Sequence, residues 1–388
     1  MADLISPRPR VLHLFSDWKW TGPAESIVNL CRGLRRRGHA VDMACTRAPS
    51  PEYRASIEHR ARERRVEPIT EFRLRKNSYN PMNNIADVRA VAEYIDREEV
   101  QIVHVHTGHD HYIGSRAARR ANAQPFVVRT NHTGQPLPLT LLNRWLIKGK
   151  THGWVAFTES CRDADARAFG ISPGHAVAVE GSVDLTRFHP GIRGDRVRAE
   201  RRLGPENVVV GIVARVQSHR RFDILLPALA LAMKQMPTLR AMVIGRGTNI
   251  ESLAHRPAQD LGIMDKVIFT GYRGEDFTEH VAAIDMLLFL VPGSDGACRA
   301  VREAMAIGKP ILASRRGLLP ELVEDGRCGL VVDDTVETLS QGILRLAGDA
   351  ALRQKLGHAA AEKARTKFDI DRQIEPISEL YTKLAESL

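Results

Sequence analysis

Short apolar runs alternate with longer amphipathic stretches along most of this chain, and the alternation happens twice. In the first half Val11–Phe15, Ala40–Cys45, Gln101–His106, Phe126–Thr130 and Trp154–Phe157 read as strands. Between them Glu25–Leu34 and Ala86–Glu98 carry apolar residues at helical spacing. In the second half Val208–Ala214, Arg240–Ile244, Lys266–Phe269, Asp285–Val291, Pro310–Ala313 and Gly329–Val332 read as strands, with Phe222–Met236 as a helix. Strands that bury both faces and are joined by crossover helices pack as a parallel sheet with right-handed connections. The sequence therefore predicts an α/β protein with two doubly wound halves. A chain of 388 residues is also too long for one typical domain and suits two. The Arg-rich segment 184–206 is the expected join, and a cleft between the halves is the expected ligand site. Past Thr335 the pattern is mostly helical, including Leu352–Lys367 and a last helix over 371–388.

Composition narrows the function classes. Hydrophobic residues make up 43% and charged residues 26%, as in soluble globular proteins. Apolar runs fall short of the ~20 residues a membrane span needs, and the N-terminus moves straight into a strand without a signal-peptide core. Five scattered cysteines have neither metal-site nor disulfide spacing, which predicts a reduced, cytoplasmic chain. The net charge is +10, from 56 basic and 46 acidic residues. Nucleic acid is disfavoured, because aromatic residues do not interleave with the basic ones. An anionic substrate, with peripheral contact to an anionic membrane, fits the charge better.

Several segments carry candidate chemistry. The stretch from Gly293 to Pro310, GSDGACRAVREAMAIGKP, follows a strand and opens a helix, with carboxylates at Asp295 and Glu303. Ligands of open α/β sheets bind beyond the carboxyl ends of strands, and helix N-termini suit phosphate and sugar oxygens. An N-cap at Asp295 and a solvent-facing Glu303 are the plainer alternative. Arg215 and Arg220 follow the first strand of the second half, where two fixed cations can clamp a diphosphate or form a solvated turn. Gly245-Arg-Gly247 ends the next strand, and Phe269-Thr-Gly-Tyr-Arg273 the one after.

Together these segments resemble family 4 glycosyltransferases. Gly293–Pro310 is similar to the E-x7-E segment with Asp295 at the first carboxylate, and Ala214, Arg215, Arg220, Arg221 and Asp223 are in step with G-R-L-x-x-x-K-G-x-D. Glu180–Pro190 resembles N-G-V-D-x-x-x-F-x-P, and Val155–Ser160 resembles V-x-x-S-E-S. The resemblance implies a GT-B fold, with Rossmann-like domains over residues 1–190 (acceptor side) and 191–370 (donor side) facing across a cleft. The final helix, 371–388, crosses back to the first domain. It implies sugar transfer from a UDP- or GDP-type nucleotide sugar to an acceptor hydroxyl, with retention, no metal and no other cofactor. The acceptor would be a sugar or lipid-linked molecule of cell-envelope polysaccharide or glycolipid synthesis. Arg215 and Arg220 would neutralise the leaving diphosphate. Asp295, Gly296, Ala297, Cys298, Glu303, Gly245, Tyr272 and Arg273 would bind the donor, and His132 would lie beside its sugar. Gly22, Pro23 and His106 would serve the acceptor or phosphate side. Ala297 and Cys298 stand where the family has an aromatic residue and Gly, and Pro23 stands where it often has Gly.

Three readings stay open beside this one: a GT-B epimerase or phosphorylase, and a non-catalytic sugar-nucleotide-binding protein. His104, His106, His109 and His111 crowd one strand end, where a substrate-facing or pH-sensitive cluster is favoured over a metal site. Leu137–Lys150 is apolar, carries Trp145 and ends basic. A packed core helix is favoured over a segment lying on an anionic membrane.

Overall fold

The computed structural model describes residues 8–75, 81–292 and 298–387. The chain divides into two units, one running to Gly181 and including Ile370–Leu388, the other comprising Ser182–Gly293 and Cys298–Asp369.

The first unit holds strands β1 (Val11–Phe15), β2 (Val41–Cys45), β3 (Pro68–Ile69), β4 (Ile102–Val105), β5 (Phe126–Asn131), β6 (Gly153–Ala156) and β7 (Ala176–Ala178). Its helices are α1 (Gly22–Arg36), α2 (Ile57–Glu63), α3 (Pro81–Arg97), α4 (Gly108–Arg120), α5 (Leu141–Ile147) and α6 (Glu159–Phe169). The strands form one parallel sheet in the order β3-β2-β1-β4-β5-β6-β7. The order reverses between β1 and β4, the switch point where such sheets open a crevice at their carboxyl ends. Every residue of β1 is buried, because helices cover both faces.

The second unit holds α7 (Asp195–Glu200), β8 (Val208–Val213), α8 (Phe222–Gln235), β9 (Leu239–Ile244), α9 (Arg256–Asp260), β10 (Val267–Gly271), α10 (Phe277–Ala283), β11 (Met286–Phe289) and α11 (Arg299–Ile307). It continues with β12 (Ile311–Ser314), α12 (Leu319–Val323), β13 (Gly329–Val332), α13 (Val336–Gly348) and α14 (Ala350–Lys367). Its sheet is also parallel, in the order β10-β9-β8-β11-β12-β13, with the switch point between β8 and β11.

The last helix, α15 (Ile370–Ala385), packs on the first unit's sheet. Ile374, Ile377, Leu380, Tyr381 and Leu384 bury against Val11, Ile27, Val128 and Val155. Gly33 of α1 makes room for it, since a Cβ there would lie 1.7 Å from Ile374 Cδ1. His39 Nε2 and Ser378 Oγ, 2.7 Å apart, add a buried polar tie.

Among the elements that the apolar pattern alone does not announce are α2, α4, α6 and the short edge strands β3 and β7. Helix α4 starts directly after the histidine-rich strand end, where Thr107 and Asp110 form a reciprocal capping box. The signal, Thr-x-x-Asp, is present in the sequence but is hidden among histidines.

Candidate functional site

In the second unit the candidate residues gather at the carboxyl ends of β8, β9 and β10. Arg215 lies two residues past β8, exposed, and pairs with no carboxylate among the described residues. Arg220 ends a single 3-10 turn, Ser218–Arg220. Its Nη1 donates to the Val291 carbonyl at 2.8 Å. That bond ties the loop after β8 to the end of β11, across the switch point. Arg221 is left-handed, with φ 60, and its Nη1 pairs with Asp334 at 2.9 Å.

The glycines at 245 and 247 have a geometric reason. A Cβ on Gly245 would lie 2.0 Å from the Ala214 carbonyl oxygen, and one on Gly247 would lie 2.1 Å from that of Val216. The loop after β9 therefore lies directly against the backbone on either side of Arg215. Val216 N donates to Arg246 O at 3.2 Å and Ala214 N to Ile244 O at 3.3 Å. Tyr272, past β10, is 65% exposed, with the Arg246 guanidinium 5.3 Å from its ring centre. Arg273 turns back instead. Its Nη2 donates to Thr270 O at 2.6 Å, and Nη1 lies 3.3 Å from Asp276.

Asp295, Gly296 and Ala297 lie outside the described residues. Cys298 begins the description again as the N-cap of α11, with φ 47 and ψ 51. Its side chain is buried in the core beneath α11. This left-handed backbone is free to Gly and costs an L-residue roughly 1–2 kcal/mol. The Gly usual in the resembling family is thus explained, and Cys298 carries the strain. Glu303 is 6% exposed, so it is not a solvent-facing helix residue, and Arg299 Nε lies 3.3 Å from its Oε1.

In the first unit Gly22 and Pro23 open α1, past the end of β1, with Pro23 in the first turn where its missing N–H costs nothing. His106 and His132 lie just beyond β4 and β5. His106 Nδ1 is 3.0 Å from His132 Nε2, and His106 Nε2 is 3.0 Å from Nδ1 of His13 on β1. Of the four histidines crowded in sequence, His104 and His106 stay stacked, with ring centroids 4.5 Å apart, while His109 and His111 turn to other partners. His104 bonds Tyr381 and, through Nε2, Thr130 Oγ1 at 2.7 Å. His109 bonds Ser16 Oγ at 2.8 Å, and His111 bonds Thr151 Oγ1 at 2.8 Å and Arg129 at 3.1 Å. Burial pushes His13 and His132 down to about 3, with neighbouring cations (Arg35 and Arg129 respectively) adding to it. His104 and His106 are held well below the usual histidine range, again mainly by burial.

His13 is the residue that the sequence pattern does not single out. It sits in the middle of Val-Leu-His-Leu-Phe, a strand buried on both faces, and a polar ring there needs a partner. His13, His104 and His106 offer nitrogens within 4.8 Å of one another. The facing pair His13–His106 meets nitrogen to nitrogen, while both nitrogens of His104 are taken by hydroxyls.

The segment Leu137–Lys150 forms only the seven-residue helix α5. Leu146 and Ile147 are buried, whereas Leu139, Leu141, Leu142 and Trp145 are exposed. Arg116 and Lys150 both approach the Trp145 ring, Lys150 Nζ at 3.3 Å from its centre. No described helix is long and apolar enough to cross a membrane. All five cysteines are buried, and none forms a disulfide.

The two units match two known families separately. Residues 20–187 match the model described as Glycosyltransferase Family 4, and residues 195–363 match that described as Glycosyl transferases group 1. A GDP-mannose-dependent alpha-(1-6)-phosphatidylinositol monomannoside mannosyltransferase of Mycolicibacterium smegmatis is 32% identical over 62% of this chain and 66% of its own length. A D-inositol 3-phosphate glycosyltransferase of Streptomyces bingchenggensis is 27% identical over 61% of this chain and 54% of its own. The matched stretches thus span between half and two thirds of these relatives. Among solved structures, a glycosyltransferase from Rickettsia africae superposes over 98% of this chain and 100% of its own with a TM-score of 0.83 at 16% identity. The Anabaena protein HepE in complex with UDP superposes over 96% of this chain and 100% of its own with a TM-score of 0.80 at 19% identity. The fold is the one these glycosyltransferases share.

Proposed function

The chain belongs to glycosyltransferase family 4 and has its GT-B fold, and from that premise we propose that it moves a sugar from a nucleoside-diphosphate sugar to an acceptor hydroxyl. The observation that carries this reading is the loop after β8. Two arginines lie there beside the switch point: Arg220 is held by the Val291 carbonyl, and the backbone on either side of Arg215 is held by the glycine turn at 245–247. Charge develops on the leaving diphosphate as its bond to the sugar breaks, and cations already in position stabilise that charge without reorganising. In this proposal Arg215 and Arg220 neutralise the diphosphate and make a metal unnecessary. Asp295 and Glu303 take sugar and ribose hydroxyls, and the amides near Gly296, Ala297 and Cys298 take phosphate or sugar oxygens. Gly245, Tyr272 and Arg273 border the nucleoside, with Tyr272 as its exposed aromatic face. His132 positions the sugar, and Gly22, Pro23 and His106 lie on the acceptor side.

Transfer proceeds with retention in this proposal. The diphosphate oxygen takes the acceptor proton on the face it leaves, so no protein nucleophile is required. A relative named as GDP-mannose-dependent and a fold neighbour in complex with UDP support a nucleotide-sugar donor without choosing its base. The apolar, basic-rimmed face at Leu139–Lys150 supports a lipid-linked acceptor met at an anionic membrane surface.

The strained Cys298 favours one rival, a family member that binds the nucleotide sugar without turning it over. Incubation with UDP-glucose and GDP-mannose, with and without a chelator, separates the two. Nucleotide release that survives the chelator and is lost in Arg215→Ala supports transfer. Nucleotide binding without release supports the rival, and neither binding nor release with any donor sinks both.

A further inference from the structure

Three imidazoles run from the interior of the first unit's sheet to its carboxyl end, one from each of three central strands: His13 within β1, His106 after β4 and His132 after β5. They meet head to tail. His13 Nδ1 faces His106 Nε2 at 3.0 Å, and His106 Nδ1 faces His132 Nε2 at 3.0 Å. The ring centroids are 5.3 and 5.2 Å apart, the separation at which facing nitrogens lie on the line joining the ring centres. Lone pairs so aimed meet each other in a hydrogen bond rather than converging on a third point.

Each contact needs one N–H and one bare nitrogen. A neutral imidazole has one of each, on opposite sides of the ring. The assignments are therefore linked. If His106 donates through Nε2 to His13, its Nδ1 is bare and must accept from His132 Nε2. The reverse holds if His106 donates through Nδ1. Only two arrangements satisfy both contacts: all three rings protonated on Nε2, or all three on Nδ1. The ends of the chain are His13 Nε2 and His132 Nδ1, both shut off from solvent and without a partner.

We propose that His13 and His106 are positioning residues for His132: the chain they form ties the tautomer of His132 to theirs and holds its ring in one orientation beside the donor sugar. The ligand end of this statement rests on the family reading of His132, while the chain itself does not. The surroundings hold the rings in place and neutral. His104 stacks on His106 with centroids 4.5 Å apart, and Phe15 and Phe157 set their edges against His106 and His132. A proton added to the chain would be buried near the Arg129 guanidinium, which lowers the affinity of both His106 and His132 for it.

NMR of the full-length protein with ring-15N histidine reads the tautomers directly, because protonated and bare ring nitrogens have distinct shifts. At neutral pH the expected spectrum has His13, His106 and His132 in one and the same tautomer. In His13→Leu the single tautomer at His132 is expected to give way to a mixture. In His13→Asn, whose amide offers a donor and an acceptor where Nδ1 stood, it is expected to return. Unlike tautomers among the three rings of the unsubstituted protein would overturn the proposal, and that comparison requires no variant to fold. So would a folded His13→Leu protein with His132 unchanged. Neither readout depends on sugar transfer, so failure of the glycosyltransferase reading and failure of the chain are told apart.

Discussion

His106 Nδ1 and His132 Nε2 lie 3.0 Å apart, so two residues 26 positions apart in sequence form one hydrogen-bonded unit at the edge of the sheet. With His13 and His104 they make a buried, neutral group in the middle of the first unit. Its neutrality has a measurable consequence.

Four histidines, His13, His104, His106 and His132, have folded-state pKa values below their unfolded value of about 6.5. As pH falls through that value the unfolded chain takes up protons that the folded chain refuses, so stability is lost downward from it. Above it these rings contribute no pH dependence. The groups around them are Arg35 on α1, Arg129 on β5, Tyr381 on α15 and His39, and the arginines reinforce the refusal. Each ring contributes about 1.4 kcal/mol per pH unit below its unfolded pKa. Thermal unfolding is expected to be level between pH 8 and pH 7 and to fall steeply from pH 6 to pH 5, roughly the window set by these rings. A melting temperature unchanged down to pH 5 would contradict the buried, neutral assignment.

At Cys298 the backbone and the side chain pull in opposite directions. Gly would remove the left-handed cost, while both Gly and Ala would lose the buried thiol. Cys298→Ala keeps the cost and loses the thiol. It is therefore expected to be less stable than Cys298→Gly by about 1 kcal/mol, despite its larger side chain. Denaturant midpoints of the two variants decide it, and equal or reversed midpoints would refute the left-handed geometry.

Gly245→Ala and Gly247→Ala place a methyl group against the Ala214 and Val216 carbonyl oxygens. The loops after β8 and β9 must then separate, moving Arg215. Each variant is expected to lose about 1–3 kcal/mol of stability, and to weaken UDP or GDP binding in a calorimetric titration. Gly348→Ala, where a Cβ meets nothing within 4 Å, serves as the control. Unchanged binding with an intact fold would mean that the glycine turn does not position Arg215.

Leu142 is 65% exposed and Trp145 49%, so changing them leaves the core intact. Leu142→Glu and Trp145→Glu are expected to abolish co-sedimentation with vesicles containing anionic phospholipid, with unfolding shifted by less than about 0.5 kcal/mol. Equal sedimentation of the variants, or none by the parent protein, would exclude this face as the membrane contact.

Strand positions were legible where burial on both faces leaves an apolar run with clear ends. Val11–Phe15 and Gly329–Val332 fold over the residues that the pattern predicts. The loops after β8 and β9 were legible as strand-end turns, because a Gly-x-Gly after a strand and paired arginines after another are local signals. Helix α4 was missed because its capping box lies among histidines that suggest another purpose. The long-range ties were invisible for a simpler reason: His39–Ser378 and His104–Tyr381 join residues more than two hundred positions apart.

Sequence by itself determined the two α/β units, the family and the set of residues at the strand ends, since period, turn chemistry and spacing are properties of neighbouring positions. Tertiary structure alone decided which side chains meet. The sheet order sets β1 beside β4 and β4 beside β5 although they are not all consecutive in the chain. That order gave the four histidines of one segment different hydrogen-bond partners and brought His13, from a strand ninety-three positions before His106, into line with it. Hydrogen bonds form between groups that packing holds within about 3 Å of each other, and the sequence does not list those pairs.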